Sequence, residues 1–199
     1  MVGDYDLTAL PTAHFGRAVI EAQPASAQEL GCEPDYNAYT GNENPRPNGN
    51  VNFRTGAGHV HIGWTTGADP FDEGHFRDCR MLAQQLDAYL AMPAMMFDKD
   101  VTRRSLYGDF GAFRPKPYGM EYRVLSNAWL QSPELIDWVF NQTKLAFEQL
   151  LLRGVVVCNN ARQLKEHVEN RVYSADFLCD HFNIPKPPKV QLSNGVLNV

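Results

Sequence analysis

With 199 residues, 44% hydrophobic and 21% charged, the chain has the composition of an ordinary globular protein with one sizeable core and at most two small domains. A net charge of −5 excludes the basic surface that a long polyanion requires, so nucleic acid is not an expected partner, although a local basic cluster can still hold a phosphate. Cys32, Cys79, Cys158 and Cys179 are scattered with no CxxC spacing. That excludes a zinc knuckle or a small disulfide framework and points to free thiols in a reducing, cytoplasmic compartment. No apolar run reaches membrane-spanning length and no leader-like segment opens the chain, so no membrane partner is expected.

In residues 1–22, YDLTAL can form a strand and AHFGRAVIEA a strand or short helix; His14 stands alone and reads as structural. DYNAYTGNENPRPNGNVN, at 35–52, is dense in Asn, Gly and Pro and reads mostly as loop. RTGAGHVHIGW, at 54–64, reads as a strand with His59 and His61 on one face and Val60 and Ile62 on the other. Gly56, Gly58 and Gly63 leave room for something to approach its backbone. Asp69-Pro70 predicts the N-cap and first position of a helix running through FRDCRMLAQQLDAYLA. The nearby methionines read as core filler, and His75 as structural or exposed.

Residues 98–118 are basic, aromatic and glycine-rich, and GMEYRVL then reads as a strand. Ser132-Pro133-Glu134 predicts a second long helix to Arg153, stopped by Gly154. VVV at 155–157 reads as a short strand, Asn160–Glu169 as a helix, and Ser174 as the cap of a last helix, ADFLCDHF. The order strand, long helix, strand, long helix predicts an α+β fold: an antiparallel β-sheet with helices packed on one face and a charged open face carrying the histidines. Residues 1–184 read as a single domain and residues 185–199 as an extended tail.

Along GMEYRVL, Glu121 and Arg123 share a face, so two strands each present a polar pair. An imidazole and a carboxylate make half of a divalent-cation site, and an arginine beside them suits a carboxylate or phosphate. Arg103, Arg104, Arg114 and Lys116 surround GDFGAF and the following turn, where cations can neutralise charge developing in phosphoryl transfer. Neither a Walker A loop nor GxGxxG occurs. Thr65, Thr66 and Gly67 stand where a cupin site needs a carboxylate, and Gly63 and Trp64 break the HxHxDH pattern of metal hydrolases.

Taken together, GCEPDYNAYTG, GAGHVHIG and LYGDFGAFRPKPYGMEYRVLSNAWL resemble the phage-type carboxylate–amine ligases (amidoligases) of the glutamine synthetase and glutamate–cysteine ligase superfamily. The resemblance runs from about Leu30 to Leu130 and weakly onward to the final helix. It implies a glutamine synthetase catalytic-domain-like fold, present in part, since the strands that carry further metal-binding glutamates in that superfamily would precede this chain. It implies His59 and Glu121 as metal ligands, His61 toward the nucleotide, and Arg114, Arg104 and Lys116 on the ATP phosphates. Arg123 would hold the substrate carboxylate or its acyl phosphate, and Arg114 and Arg123 would be the catalytic pair.

The implied reaction is amide-bond formation from a carboxylate and an amine, with ATP and Mg2+ as cofactors. One histidine and one glutamate do not complete such a metal site, which implies a homo-oligomer or hetero-complex in which another chain completes it. The alternative is a non-catalytic phage structural or interaction protein on a degenerate ligase fold. A phage origin would place the protein in the host cytoplasm or on the virion.

Overall fold

The computed structural model describes residues 8–28, 34–47, 51–158 and 160–192. Cys32, YDLTAL up to Leu7, and the end of the expected tail lie outside the described residues. The elements run β1 (Thr12–His14), α1 (Arg17–Glu21), α2 (Ala25–Gln28), β2 (Tyr36–Asn37), β3 (Phe53–Thr55) and β4 (Val60–Gly63), followed by α3 (Glu73–Leu86). A π-helical stretch (Asp87–Ala91) leads into α4 (Met92–Ala94), then α5 (Val101–Leu106), β5 (Ala112–Lys116) and β6 (Gly119–Tyr122). A 3-10 turn (Asn127–Gln131) precedes α6 (Pro133–Arg153), α7 (Ala161–Glu169) and α8 (Ala175–Phe182).

The fold is α+β. Four strands form an antiparallel sheet in the order β2-β5-β6-β4, and β1 and β3 form a separate antiparallel pair. In register, His61 lies opposite Glu121, which lies opposite Arg114. Strand alternation sends Phe113, Met120 and Tyr122 to the other face. There they join Leu82 and Leu86 of α3, Trp138 and Val139 of α6, and Leu178 of α8 in one apolar core. The helical layer is therefore on one side and the charged side chains on the other.

Local chemistry explains the ends of the helices. Asp72 caps α3 by accepting from the His75 N–H at 3.0 Å. Asp69-Pro70 instead forms the turn before it, where the Asp69 carboxylate accepts from the Phe71 N–H. The helix thus begins one turn later than the Asp-Pro signal implies, because Asp72 competes as a second capping carboxylate. Helix α6 runs as expected from Pro133 to Arg153 and ends on Gly154 at φ 67°, a left-handed conformation that glycine adopts without steric cost. Ser174 caps α8 as read from the sequence. Residues 155–157 form bends rather than a strand.

Candidate functional site

The site is built on the open face of β4, β5 and β6. Glu121, 6% exposed, is its centre. Its Oε1 accepts from the Arg123 guanidinium at 2.6 Å and from His59 Nδ1 at 2.7 Å. Its Oε2 lies 3.3 Å from Arg114 and 3.7 Å from Lys116. Arg114, Lys116 and Glu121 share this face because the three positions alternate with Phe113, Pro115, Met120 and Tyr122 in the antiparallel register. The structure therefore brings together His59, Arg114, Lys116, Glu121 and Arg123, residues drawn from segments some 60 positions apart.

A bulge places His59. Val60 pairs with Tyr122 but Ala57 bridges Ser126, so the second strand holds one residue more than the first across this interval. The carbonyls of that bulge are held by Arg103, 1% exposed, whose guanidinium donates to Val124 O at 2.7 Å and Leu125 O at 2.8 Å. Gly108 (φ 78°) leaves room for this guanidinium, since a Cβ there would meet both Arg103 and Val124 O. Arg103 thus shapes the strand beneath the site.

Asp35, just before β2, is a site residue that the loop-like composition of its segment concealed. Its carboxylate accepts from Arg123 Nε at 3.0 Å, so Arg123 is clamped between Asp35 and Glu121 and is 1% exposed. Tyr107 lies under the Arg123 guanidinium, 5.2 Å from ring centre to Cζ, a cation–π distance. The only sequence cue to Asp35 was the GCEPDYNAYTG segment that carries part of the family resemblance.

Burial alone would raise the Glu121 carboxyl, but the His59 hydrogen bond and the charges of Arg114 and Lys116 outweigh it and hold it below the usual 4.5. Burial pushes His59 below 6.5, and the Arg123 and Arg103 charges add to this against the pull of Glu121. His59 is then a neutral imidazole that donates from Nδ1 and leaves Nε2, buried and without a partner among the described residues, as a lone-pair nitrogen. His61 lies opposite Glu121 on the exposed edge of β4, with Nδ1 2.6 Å from the Tyr118 hydroxyl.

Arg104 sits apart from this cluster. It faces Asp98 at 3.7 Å and Glu169 at 3.5 Å and lines a neighbouring cavity of about 360 Å³ with Lys165, Arg162, Asp35 and Tyr107. Asp35 and Tyr107 both touch Arg123, so the cavity adjoins the cluster. Gly56 and Gly58 are approached by the chain itself: Asn127 and Leu10 O fill the space beside Gly56, and Trp129 and Ser126 O the space beside Gly58.

Chemically the face suits an anion. Among the described residues Arg114, Lys116 and Arg123 lie against the carboxylates of Glu121 and Asp35, and Arg114 and Arg123 make further contacts. A divalent metal fits less well. Both Glu121 oxygens already face cations. Among the described residues no group of three or more His, Cys, Asp or Glu side chains could hold an ion, and magnesium prefers oxygen to the His59 nitrogen. Among the described residues, no helix is long and apolar enough to cross a membrane.

A family model described as "Phage phiEco32-like COOH.NH2 ligase-type 2" matches residues 22–177, well over half of the chain. No curated protein and no solved structure matches the chain.

Proposed function

The chain belongs to this phage phiEco32-like carboxylate–amine ligase family, and from that membership we propose that it joins a carboxylate to an amine at the expense of ATP, through an acyl phosphate. The observation that carries the reading is the cluster of Arg114, Lys116 and Arg123 around one buried carboxylate on an open sheet face. Arg114 and Lys116, half-buried, are the cations within reach of a phosphate. Arg123 acts from behind, adding charge and fixing Glu121 and Asp35.

In the proposed reaction a substrate carboxylate oxygen attacks the γ-phosphorus of ATP and ADP leaves. The amine nitrogen then attacks the acyl carbon, losing a proton as phosphate departs. The protein's contribution is to place both substrates and to neutralise charge spread over the transferred group. Arg104, paired with Asp98 and Glu169, lines the adjoining cavity, and His61 stands on the nucleotide side. His59 and Glu121 do not by themselves fit a resident magnesium ion, and the carboxylates that complete such a site would come from a second chain.

Hydroxylamine tests this directly, because it traps an acyl phosphate as a hydroxamate. Supplied with Mg-ATP, a carboxylate donor and hydroxylamine, the protein or its complex should form ADP and hydroxamate together. Arg114→Ala should lower kcat/KM by about 10²–10³, the usual effect of removing one charge-stabilising donor. If neither the protein nor its complex binds or turns over Mg-ATP, the ligase reading fails and a structural role on a ligase fold takes its place.

A further inference from the structure

Strand β4 is the outer strand of the sheet. Trp64 N–H donates to Tyr118 O on the β6 side, and with the register pairing Ile62 to Met120 and Val60 to Tyr122, alternation turns the peptide groups of His61 and Gly63 outward. Among the described residues neither has a backbone partner. An edge of this kind is a template for another extended chain.

Beside the edge runs a groove of about 540 Å³, between β4 and the exposed flank of α6. Its wall is mainly apolar, with Ile136, Phe140 and Phe147 facing Val60 and Ile62 across it, and Thr143 and Lys144 line it as well. Phe140 is 69% exposed and Ile136 41%, which is unusual for two large apolar side chains a helical turn apart. The groove and the cationic cluster share His59, which lines the one and hydrogen-bonds Glu121 in the other.

We propose that the carboxylate-bearing substrate of this ligase is a peptide bound in extended form along β4, its apolar side chains on Phe140 and Ile136 and its carboxylate reaching over His61 toward Arg114 and Lys116, which β6 separates from the edge strand. The inference rests on the ligase reading and names its substrate class. The occupant must offer backbone donors and acceptors to His61 and Gly63, apolar side chains on one face, and an anion on the other. A second copy of the chain meets only part of this. Antiparallel pairing of β4 with itself would bury Phe140 and Ile136, but HVHIG carries no carboxylate, so it would bring nothing negative to the cations.

The test is binding of a fluorescent peptide of alternating valine and glutamate to the full chain without nucleotide, so the outcome does not depend on whether ligase turnover is found. Saturable binding is expected, weakened at least about tenfold, or roughly 1.4 kcal/mol, by Phe140→Asp. Methylation of alternate peptide nitrogens should abolish it by removing main-chain donors. Replacing glutamate by glutamine, or the terminal acid by an amide, shows which carboxylate the cations hold; loss in either arm supports the proposal and loss in neither overturns it. Absence of binding, or binding indifferent to N-methylation and to Phe140→Asp, also overturns it. So does a wild-type dimer that Phe140→Asp dissociates while the peptide is ignored, or binding that appears only after deletion of residues 193–199.

Discussion

Glu121 and His59 illustrate how much one hydrogen bond settles. Period-2 alternation put both residues on the open face, and that much was legible in HVH and MEYR. Their direct contact depended on a bulge that no sequence pattern announces. Glu121→Gln keeps the shape but leaves the enclosed Arg123 facing a neutral group. Because Asp35 still pairs with Arg123, the loss should be smaller than the ~3–5 kcal/mol of a buried ion pair broken outright, and urea unfolding at neutral pH should show it. Acid adds a second expectation. Folded His59 resists a proton that the unfolded chain accepts below 6.5. Folded Glu121, with its carboxyl held below 4.5, contributes stability that is complete above that value and lost as pH falls through its folded-state pKa. Both make stability rise with pH. These two groups therefore make the urea midpoint decline on acidification, against the opposite pull of Asp87. His59→Gln should flatten the upper part of the decline, and an unchanged profile in that variant would refute the assignment.

At the scale of elements, the strongly periodic segments declared themselves and the rest did not. Helix α6 was readable to the residue because Pro133 and Gly154 punctuate it. Strand β5 was hidden because AFRPK contains a proline, which normally argues against a central strand. Ala112 O accepts from the Arg123 N–H, so Pro115, three residues on, points its backbone away from β6. On that side β2 pairs only with Phe113 and Ala112, so no donor is missed. Equally unreadable was the π-helical stretch at Asp87, inside what reads as one continuous helix. Asp87 is fully buried and accepts from the Tyr122 hydroxyl at 2.6 Å and the Tyr39 hydroxyl at 2.7 Å. Through Tyr122 it holds the strand carrying Glu121, and through Tyr39 the loop carrying Asp35. Burial pushes its carboxyl up to about 7 from 3.8, despite the two tyrosine hydrogen bonds. A carboxyl raised in this way is most favourable below 3.8, and its contribution is lost as pH rises toward 7. Asp87→Asn should remove that loss, so its stability relative to wild type improves from about pH 4 to pH 7 in urea titrations and levels off above. Asp87→Leu, which strands two buried hydroxyls, should instead cost about 2–6 kcal/mol, at roughly 1–3 kcal/mol each.

For the molecule as a whole, the open face and the core are two sides of one sheet. Phe113 and Tyr122 belong to the apolar cluster that extends through α3, α6 and α8, and the residues beside them in sequence, Arg114 and Glu121, form the site. A ligand seated on Arg114 and Lys116 is therefore coupled to the packing of the whole cluster. A ligand that binds only the folded state at a hundred times its Kd stabilises by about 2.7 kcal/mol. For a chain of this size each kcal/mol raises Tm by roughly 2–4 °C, so a shift of about 5–11 °C is expected with tripolyphosphate or Mg-ATP at that excess. Arg114→Ala combined with Lys116→Ala should abolish the shift, because it removes the two cations within reach of a phosphate. Phe140→Asp, on the groove rather than in the cluster, should leave it intact. A shift that survives loss of both cations would place the phosphate elsewhere, with the cavity of Arg104, Arg162 and Lys165 the next position to test. A shift lost in Phe140→Asp would mean that groove and cluster form a single site, in which peptide and nucleotide compete rather than meet.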